Sequence, residues 1–459
     1  MTIENPILDE LVAPAAEQRT GGFITDFTRS KKLQQKSHAL IPGGAHTYAK
    51  GDDQYPEQAP GFIARGAGCH VWDVDGNEFI EYGMGLRSVT LGHAYTPVVE
   101  AAYRHMRLGI NFTRPAPIEL ECAEKLLSLI GGAEMVKFGK NGSDVTSAAV
   151  KLARAYTGRD LVGVCAEHPF FSVDDWFIGA TPMNAGIPEP IRRSTVQFHY
   201  NDLESVKDLF ARYPDVIACL VLEPEKNDPP VDDFLHETRR VCHEHGALFI
   251  LDEIITGFRY HLGGGQTLYN IEPDLSSFGK GMANGFSVSA LVGKREFMQR
   301  GGLYHDQERV FLLSTTYGAE THALAAALAT MRIYEEEHVV EYLHTQGERL
   351  IQGINRAVDE LNLHGYFGVA GRPCNLIYYT YDQQKQPSQA YRTLFMQETI
   401  KRGLLMPSLV ISFSHTDNDV DRTVDGICEA LNVYRRAIDE GVEKYLESRP
   451  VKPVFRKYA

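Results

Sequence analysis

Three stretches of the 459-residue chain combine residue types that could do chemistry. The first is Ala247-Leu-Phe-Ile-Leu-Asp-Glu253, an apolar run that ends on a carboxylate, Asp252. A charge at the end of a buried strand needs a partner, because desolvating it alone is costly. The second is Gly279-Lys280-Gly281. A lysine that attacks a carbonyl must shed its proton, which burial or a neighbouring cation arranges. The flanking glycines offer backbone freedom and close approach to a flat ligand. The third is Asn141-Gly142-Ser143-Asp144, which follows the apolar run Met135–Phe138 and opens a helix. Free N–H groups and the helix dipole at such a start suit a phosphate. Each stretch also has a plain reading: a strand-end cap, a surface turn, an N-cap.

The three in one chain favour a shared task. A carboxylate facing a pyridine nitrogen keeps that nitrogen protonated, so the ring accepts electrons from a substrate carbon. Asp252 and Lys280 gripping opposite sides of one ring, with Gly142 and Ser143 at its phosphate, describes a site for pyridoxal 5'-phosphate.

The elements that must position these residues follow from the pattern. From Pro117 to about Gly293, helices alternate with short apolar strands at Met135–Phe138, Leu161–Cys165, Val216–Leu222, Leu248–Leu251 and Val288–Val292. Helices are expected at Ser143–Tyr156 and Phe234–His245. This alternation implies an α/β fold with an open, mostly parallel sheet, whose ligands bind beyond the carboxyl ends of the strands. Upstream, Thr28–Leu40 reads as a helix, and Phe62–Tyr82 as short antiparallel strands with a turn at Asp75-Gly76-Asn77. Downstream come an alanine-rich helix near Glu320–Glu337, a strand near Asn375–Thr380, and helices near Ala390–Arg402 and Asp419–Gly441.

Composition excludes several classes. A formal net charge of -14 argues against general nucleic-acid or anionic-membrane binding. Seven cysteines, scattered and without C-x-x-C spacing, suit reduced thiols in a cytoplasmic enzyme. Met1–Arg19 reads as no signal peptide, and no apolar run reaches membrane-span length. His236, Cys242, His243 and His245 share a helix, but one helix rarely supplies a metal site, and a solvated face is the simpler reading. No metal is expected.

The chain resembles a class III (fold type I) aminotransferase, in the glutamate-1-semialdehyde aminomutase-like branch. The matching segments are Ile41-Pro-Gly-Gly44, Val71-Trp-Asp-Val-Asp-Gly-Asn77, Leu91-Gly-His-Ala94, the three stretches above and His415-Thr416. The resemblance implies a large domain with a mostly parallel central sheet and a smaller α+β domain formed by the N- and C-terminal segments. In this sequence that divides the chain into residues 1–116, 117–330 and 331–459. It implies that Lys280 carries the cofactor, Asp252 serves its ring nitrogen and Ile254 packs one ring face. Gly142 and Ser143 would cradle the phosphate, and Thr315 would reach the phosphate of a neighbouring subunit, which makes a homodimer with shared active sites.

Several positions depart from that family. Phe170-Phe171-Ser172 replaces Tyr-His-Gly, so the stacking residue is Phe170 or Phe171, since stacking needs only an aromatic face. The loop Glu225-Lys226-Asn227-Asp228 is unusual, with Asn227 the expected donor to the ring hydroxyl. Lys50 stands where the aminomutase has an arginine for its substrate carboxylate; a point charge suits a phosphate or a single oxygen. Leu86-Arg87-Ser88 replaces a tryptophan loop, and Leu409–Ser412 lacks an acidic residue. Lys50, Arg87 and Glu320 are the expected substrate contacts, with His46 and Tyr48 as entrance candidates. The expected function is transfer of an amino group from an amine donor to a sugar-derived or phosphorylated carbonyl acceptor. The alternatives are the intramolecular aminomutase reaction on glutamate-1-semialdehyde and a non-catalytic cofactor-binding protein.

Overall fold

A computed structural model describes residues 22–458; Met1–Arg19 lie outside them. The described chain forms two compact units. One comprises residues up to Leu86, Leu91–Tyr95 and Tyr342–Val454; the other comprises Arg87–Thr90, Thr96–Glu341 and the residues from Phe455. The helix Thr96–Met106, placed by sequence with the N-terminal segment, therefore belongs to the second unit, which runs on to Glu341.

The first unit begins with the helix Thr28–Leu40, whose first N–H groups, on Arg29 and Ser30, donate to the Asp75 carboxylate. Strands β1 (Ile63–Ala67), β2 (His70–Asp73) and β3 (Glu78–Glu81) form an antiparallel meander. The turn between the last two is held by Asp73 Oδ1, which accepts from the N–H groups of Asp75 and Asn77 at 2.9 and 2.8 Å. Gly76 takes the positive φ (87°) that this turn needs.

The second unit holds β4 (Met135–Gly139), β5 (Leu161–Cys165), β6 (Thr195–Phe198) and β7 (Ile217–Leu222). It continues with β8 (Leu248–Asp252), β9 (Leu275–Phe278) and β10 (Ser289–Gly293). They make one seven-stranded sheet in the order β4-β10-β9-β8-β7-β5-β6. The pairs β6–β5, β5–β7, β7–β8 and β8–β9 are parallel; β10 runs antiparallel to both its neighbours. Val145, Ala149 and Leu152 of the helix Gly142–Thr157 cover one face with Val164, Val221 and Ile250. Phe234, Leu235 and Val241 of the helix Phe234–Glu244 cover the other with Leu220, Phe249 and Leu251. Burial on both faces explains why β7 and β8 are unbroken apolar runs rather than alternating ones. β6 and β9 had no sequence expectation: Leu275-Ser-Ser-Phe278 hides its strand behind two serines.

The chain then returns to the first unit with β11 (Phe367–Ala370), β12 (Asn375–Thr380), β13 (Leu404–Leu405) and β14 (Leu409–Val410). β13 adds parallel to β3, so the meander is completed by a segment more than 300 residues away in sequence. The helices Gln389–Lys401 and Asp417–Glu440 complete this part.

Candidate active site

β7 and β8 pair in register Leu222 with Leu251, so the residues that follow, Glu223 and Asp252, emerge side by side at the carboxyl edge of the sheet. Both are buried and both line a cavity of ≈ 500 Å³ inside the second unit. Asp252 Oδ1 accepts from the Ile254 N–H at 3.0 Å and from Ser277 Oγ, its cross-strand neighbour on β9, at 3.1 Å. Burial pushes its carboxyl above the usual range, the charge of Glu223 pushes it further, and the two hydrogen bonds and Lys280 oppose that. Glu253, pointing the other way, is wholly buried and ties down the next turn. It accepts from Thr256 Oγ1 and from the N–H groups of Gly265 and Gln266, at 2.8 and 2.6 Å for the latter two.

Lys280 follows β9 and starts a single 3₁₀ turn, Lys280–Ala283. Neither flanking glycine takes a left-handed backbone. Gly279 is extended (φ 177°), and the positive φ (43°) falls on Lys280 itself. What the glycines provide is closeness: a Cβ on Gly279 would lie 3.1 Å from Ile254 Cδ1, and one on Gly281 would lie 2.9 Å from Thr90 Oγ1. Lys280 lines the cavity. Burial pulls its pKa down, Arg87 and Arg259 add to that, and Asp252 and Glu223 work against it. A lysine partly stripped of its proton near neutrality is suited to attack a carbonyl.

The helix Gly142–Thr157 points its N-terminus at the same cavity, and Lys140–Asp144 line it. Asp144 Oδ2 accepts from the N–H groups of Lys140 and Asn141, each at 2.9 Å, which closes the turn before the helix. Ser143 Oγ accepts from the Val173 N–H at 3.0 Å, a bond that leaves its own hydrogen to donate. A Cβ on Gly142 would lie 3.2 Å from Ile254 Cδ1, so glycine lets this helix start approach the strand-end loop.

The two phenylalanines part company. Phe171 is 2% exposed, packs edge-on against Phe177, and its carbonyl accepts from Thr146 Oγ1 at 2.7 Å. Phe170 also packs edge-on against Phe177 and lines the cavity together with Phe171 and Ile254, but it is 44% exposed. Of the two rings, that of Phe170 is the more exposed.

Other expected residues fall elsewhere. Asn227 is half-buried in the loop after β7 but does not line the cavity; Glu223 does. Glu320 forms an ion pair with Lys140 at the head of the helix Thr321–Glu336, so its charge is engaged by protein. Thr315 is exposed and does not line its own chain's cavity. Lys50 is exposed in the first unit, where with His46 it lines a cavity of ≈ 430 Å³ formed within that unit. Tyr48 is 62% exposed. Arg87 has a positive φ (72°), and its carbonyl is held at 2.7 Å by Nη2 of the buried Arg259. Burial lowers the Arg87 pKa, as does Arg259, while Tyr260 and Glu223 favour its charge. The helix histidines diverge: His243 bonds Asp274 at 2.9 Å, His236 the Tyr269 carbonyl at 3.1 Å, and Cys242 is fully buried.

Glu223 and Glu253 are the residues that motif reading passed over. Glu223 carries the same signal as Asp252, a carboxylate ending an apolar strand, and could have been found by it.

A flat ring fits what is present: an aromatic face on Phe170, an apolar one on Ile254, a carboxylate, an amine and a helix start within one cavity. The chain belongs to the class-III aminotransferase family, whose model, described as "Aminotransferase class-III", matches residues 52–371. It is 31% identical over 424 residues to the glutamate-1-semialdehyde 2,1-aminomutase of Francisella philomiragia, across 86% of this chain and 96% of that one. The enzyme of that name from Archaeoglobus fulgidus is 30% identical over 429 residues, across 88% and 99%. Among solved structures, the PLP internal aldimine form of the FumI protein of Sphingopyxis sp. MTA144 superposes with a TM-score of 0.83 at 27% identity. That match covers 92% of this chain and 99% of that one.

The fold is therefore that of the fold type I transaminases, and the protein is a transaminase that uses pyridoxal phosphate. When bound, the cofactor supplies an aldehyde for the lysine nitrogen and a ring that draws electrons from the substrate. Asp252 and Lys280, which line one cavity, are the residues that would hold it. The Lys280 nitrogen, its pKa lowered by burial, would be the group to carry a proton to or from the substrate carbon.

Proposed function

We propose that this enzyme moves an amino group between two separate small molecules, a donor amine and a carbonyl acceptor with an anionic group. The observation that carries this reading is Arg87. Its carbonyl is clamped by Arg259, and its guanidinium lies within electrostatic reach of Glu223 and Lys280. A planar guanidinium suits a carboxylate or phosphate. The sugar-derived or phosphorylated acceptor expected from Lys50 is the narrower form of this reading. It draws on the loss of the family's carboxylate arginine, and Lys50 meets a cavity of its own unit. Glu320, paired with Lys140, has no part in it.

The reading extends to the assembly and its place in the cell. Two copies share their sites, with the exposed Thr315 of each reaching the other's phosphate, and the enzyme works in the cytoplasm. Among the described residues no helix is long and apolar enough to cross a membrane, and the cysteines are unpaired.

The second reading is the intramolecular reaction named for the relatives that share about 30% of the sequence. One assay separates the two. Glutamate-1-semialdehyde alone, with no external amine, is consumed by an aminomutase and left unchanged by an enzyme that needs a donor. Converting the protein to its aminated form and screening carbonyl acceptors by return of the visible band then defines the acceptor. Anionic acceptors restoring the band faster than neutral ones, and R87Q erasing that preference, support the proposal; equal rates overturn it.

A further inference from the structure

Glu223 is a buried carboxylate, 5% exposed, that lines the same cavity as Asp252 and Lys280. Its backbone N–H donates to His168 Nδ1 at 2.9 Å, which fixes the residue at the strand end and leaves the side chain to the cavity. The register of β7 on β8 sets the two carboxylates on the same edge, so a single lysine meets two acids. One acid is accounted for: Asp252 serves the ring nitrogen. The other has no task in the reaction described so far.

We propose that Glu223 is a positioning residue, the carboxylate that holds a proton on the Lys280 nitrogen once Asp252 is committed to the cofactor ring. This rests on the reading of Lys280 as the cofactor lysine. The charged groups around that nitrogen are Asp252 and Glu223 on the acidic side and Arg87 and Arg259 on the basic side. Those around Glu223 are Lys226, Lys280 and Arg87, with Asp252 and Glu253 on the adjoining chain. Asp252 would be engaged by the ring nitrogen of the cofactor when bound. Two arginines then remain near the Lys280 nitrogen, and both drive its proton away. Glu223 is the carboxylate left to oppose them. A protonated nitrogen makes the carbon it is bonded to more electrophilic, so the amine donor is met by an activated bond. No proton is gained or lost in this role; its position is fixed.

The test is a pH titration of the visible band of the holoenzyme. Removing an opposite charge at short range moves a pKa by about one unit or more. E223Q should therefore shift the midpoint down by about one pH unit, E223D should restore it, and R87Q should shift it up. An E223Q midpoint within about 0.2 unit of the parent overturns the proposal. A purely structural Glu223 would alter loading without moving that midpoint, and that result overturns it too. Where E223Q does not load, the cofactor-free protein is used. Borohydride trapping of pyridoxal phosphate on Lys280, quantified by peptide mass against pH, must show the same downward shift. An unmoved trapping profile overturns the proposal. A parent protein that never develops a visible band refutes the cofactor assignment instead, which keeps the two failures apart.

Discussion

Glu253 sits next to Asp252 in sequence but faces away from the cavity, and its substitution by glutamine tests how the site is held. The carboxylate is wholly buried and accepts from Thr256 Oγ1 and from the Gly265 and Gln266 N–H groups. Burial outweighs those bonds and raises its pKa from 4.5 to about 7. Between these two values the folded protein binds a proton that the unfolded chain has released, so stability is highest below about pH 4.5 and falls as pH rises toward 7. At 1.36 kcal/mol per pH unit, about 2–3 kcal/mol is lost between pH 5 and pH 8. E253Q has no proton to bind. It does turn an amide –NH₂ toward a backbone donor, which costs about 1–3 kcal/mol at every pH. The variant should thus be clearly weaker than the parent at pH 5 and close to it, or stronger, at pH 8. Denaturant unfolding of the cofactor-free protein, followed by fluorescence at pH 5, 6, 7 and 8, reads the gap directly. Asp252 is raised in both proteins and cancels in the difference, whereas Glu223, whose charge helps raise Glu253, loses a like-charged neighbour in E253Q and adds to the variant's relative gain at high pH. A gap constant to within about 0.5 kcal/mol across this range would refute the reasoning, because it would mean that Glu253 is not buried as a titrating acid.

Three further outcomes bear on the site. K280A should show no visible cofactor band and no turnover, with unchanged thermal unfolding of the cofactor-free protein; a retained band would remove Lys280 from its role. D252N keeps the shape of the side chain and loses its charge. It should bind cofactor but fall in kcat by about 10²–10³, the usual loss on removing one preorganised electrostatic partner; single-turnover kinetics with a donor amine measures this. F170Y should leave cofactor affinity unchanged, whereas F170L should weaken it by about 0.5–1.5 kcal/mol, the worth of an aromatic contact beyond its area. Fluorescence titration distinguishes the two, and the same pair made at the buried Phe171 should instead lower stability.

How far the sequence told this in advance depended on what kind of signal each residue carries. Asp252, Gly142, Ser143 and Lys280 belong to local patterns, an apolar strand ending on a carboxylate and a helix opening on Gly-Ser, and all four line one cavity. The choice between Phe170 and Phe171 was not legible. Adjacent residues in a loop have no periodicity to separate them; both rings meet Phe177, and only the folded chain shows that Phe171 is covered and Phe170 is not. Glu320 and Lys140 lie 180 residues apart, and nothing local pairs them. The same holds for β13 on β3: a two-residue strand with its partner far upstream leaves no pattern to read. β9 was missed for a different reason. Its serines are polar yet buried, because Ser276 Oγ donates to Gln266 and Ser277 Oγ to Asp252.

The backbone around Lys280 shows why such a site must be built by long-range contacts. Lys280 and Asn284 bracket the 3₁₀ turn with φ of 43° and 45°, and Phe258, packed against Phe278 nearby, has φ 61°. A left-handed residue other than glycine costs about 1–2 kcal/mol, so sequence preference alone would let this turn relax. It is held from outside. Tyr334, on the helix Thr321–Glu336, donates its hydroxyl to the Gly281 carbonyl at 2.6 Å, and its ring stacks on Phe258 at 5.9 Å. The Met282 N–H closes the turn onto the Gly279 carbonyl at 3.0 Å. The alanine-rich face of that helix, with Ala323, Ala326 and Ala327 buried, lets Tyr334 come in close. Glycine at 280 would relieve the strain but could not hold a cofactor. The turn keeps a lysine in a glycine's conformation, and the helix that anchors it lines no part of the cavity.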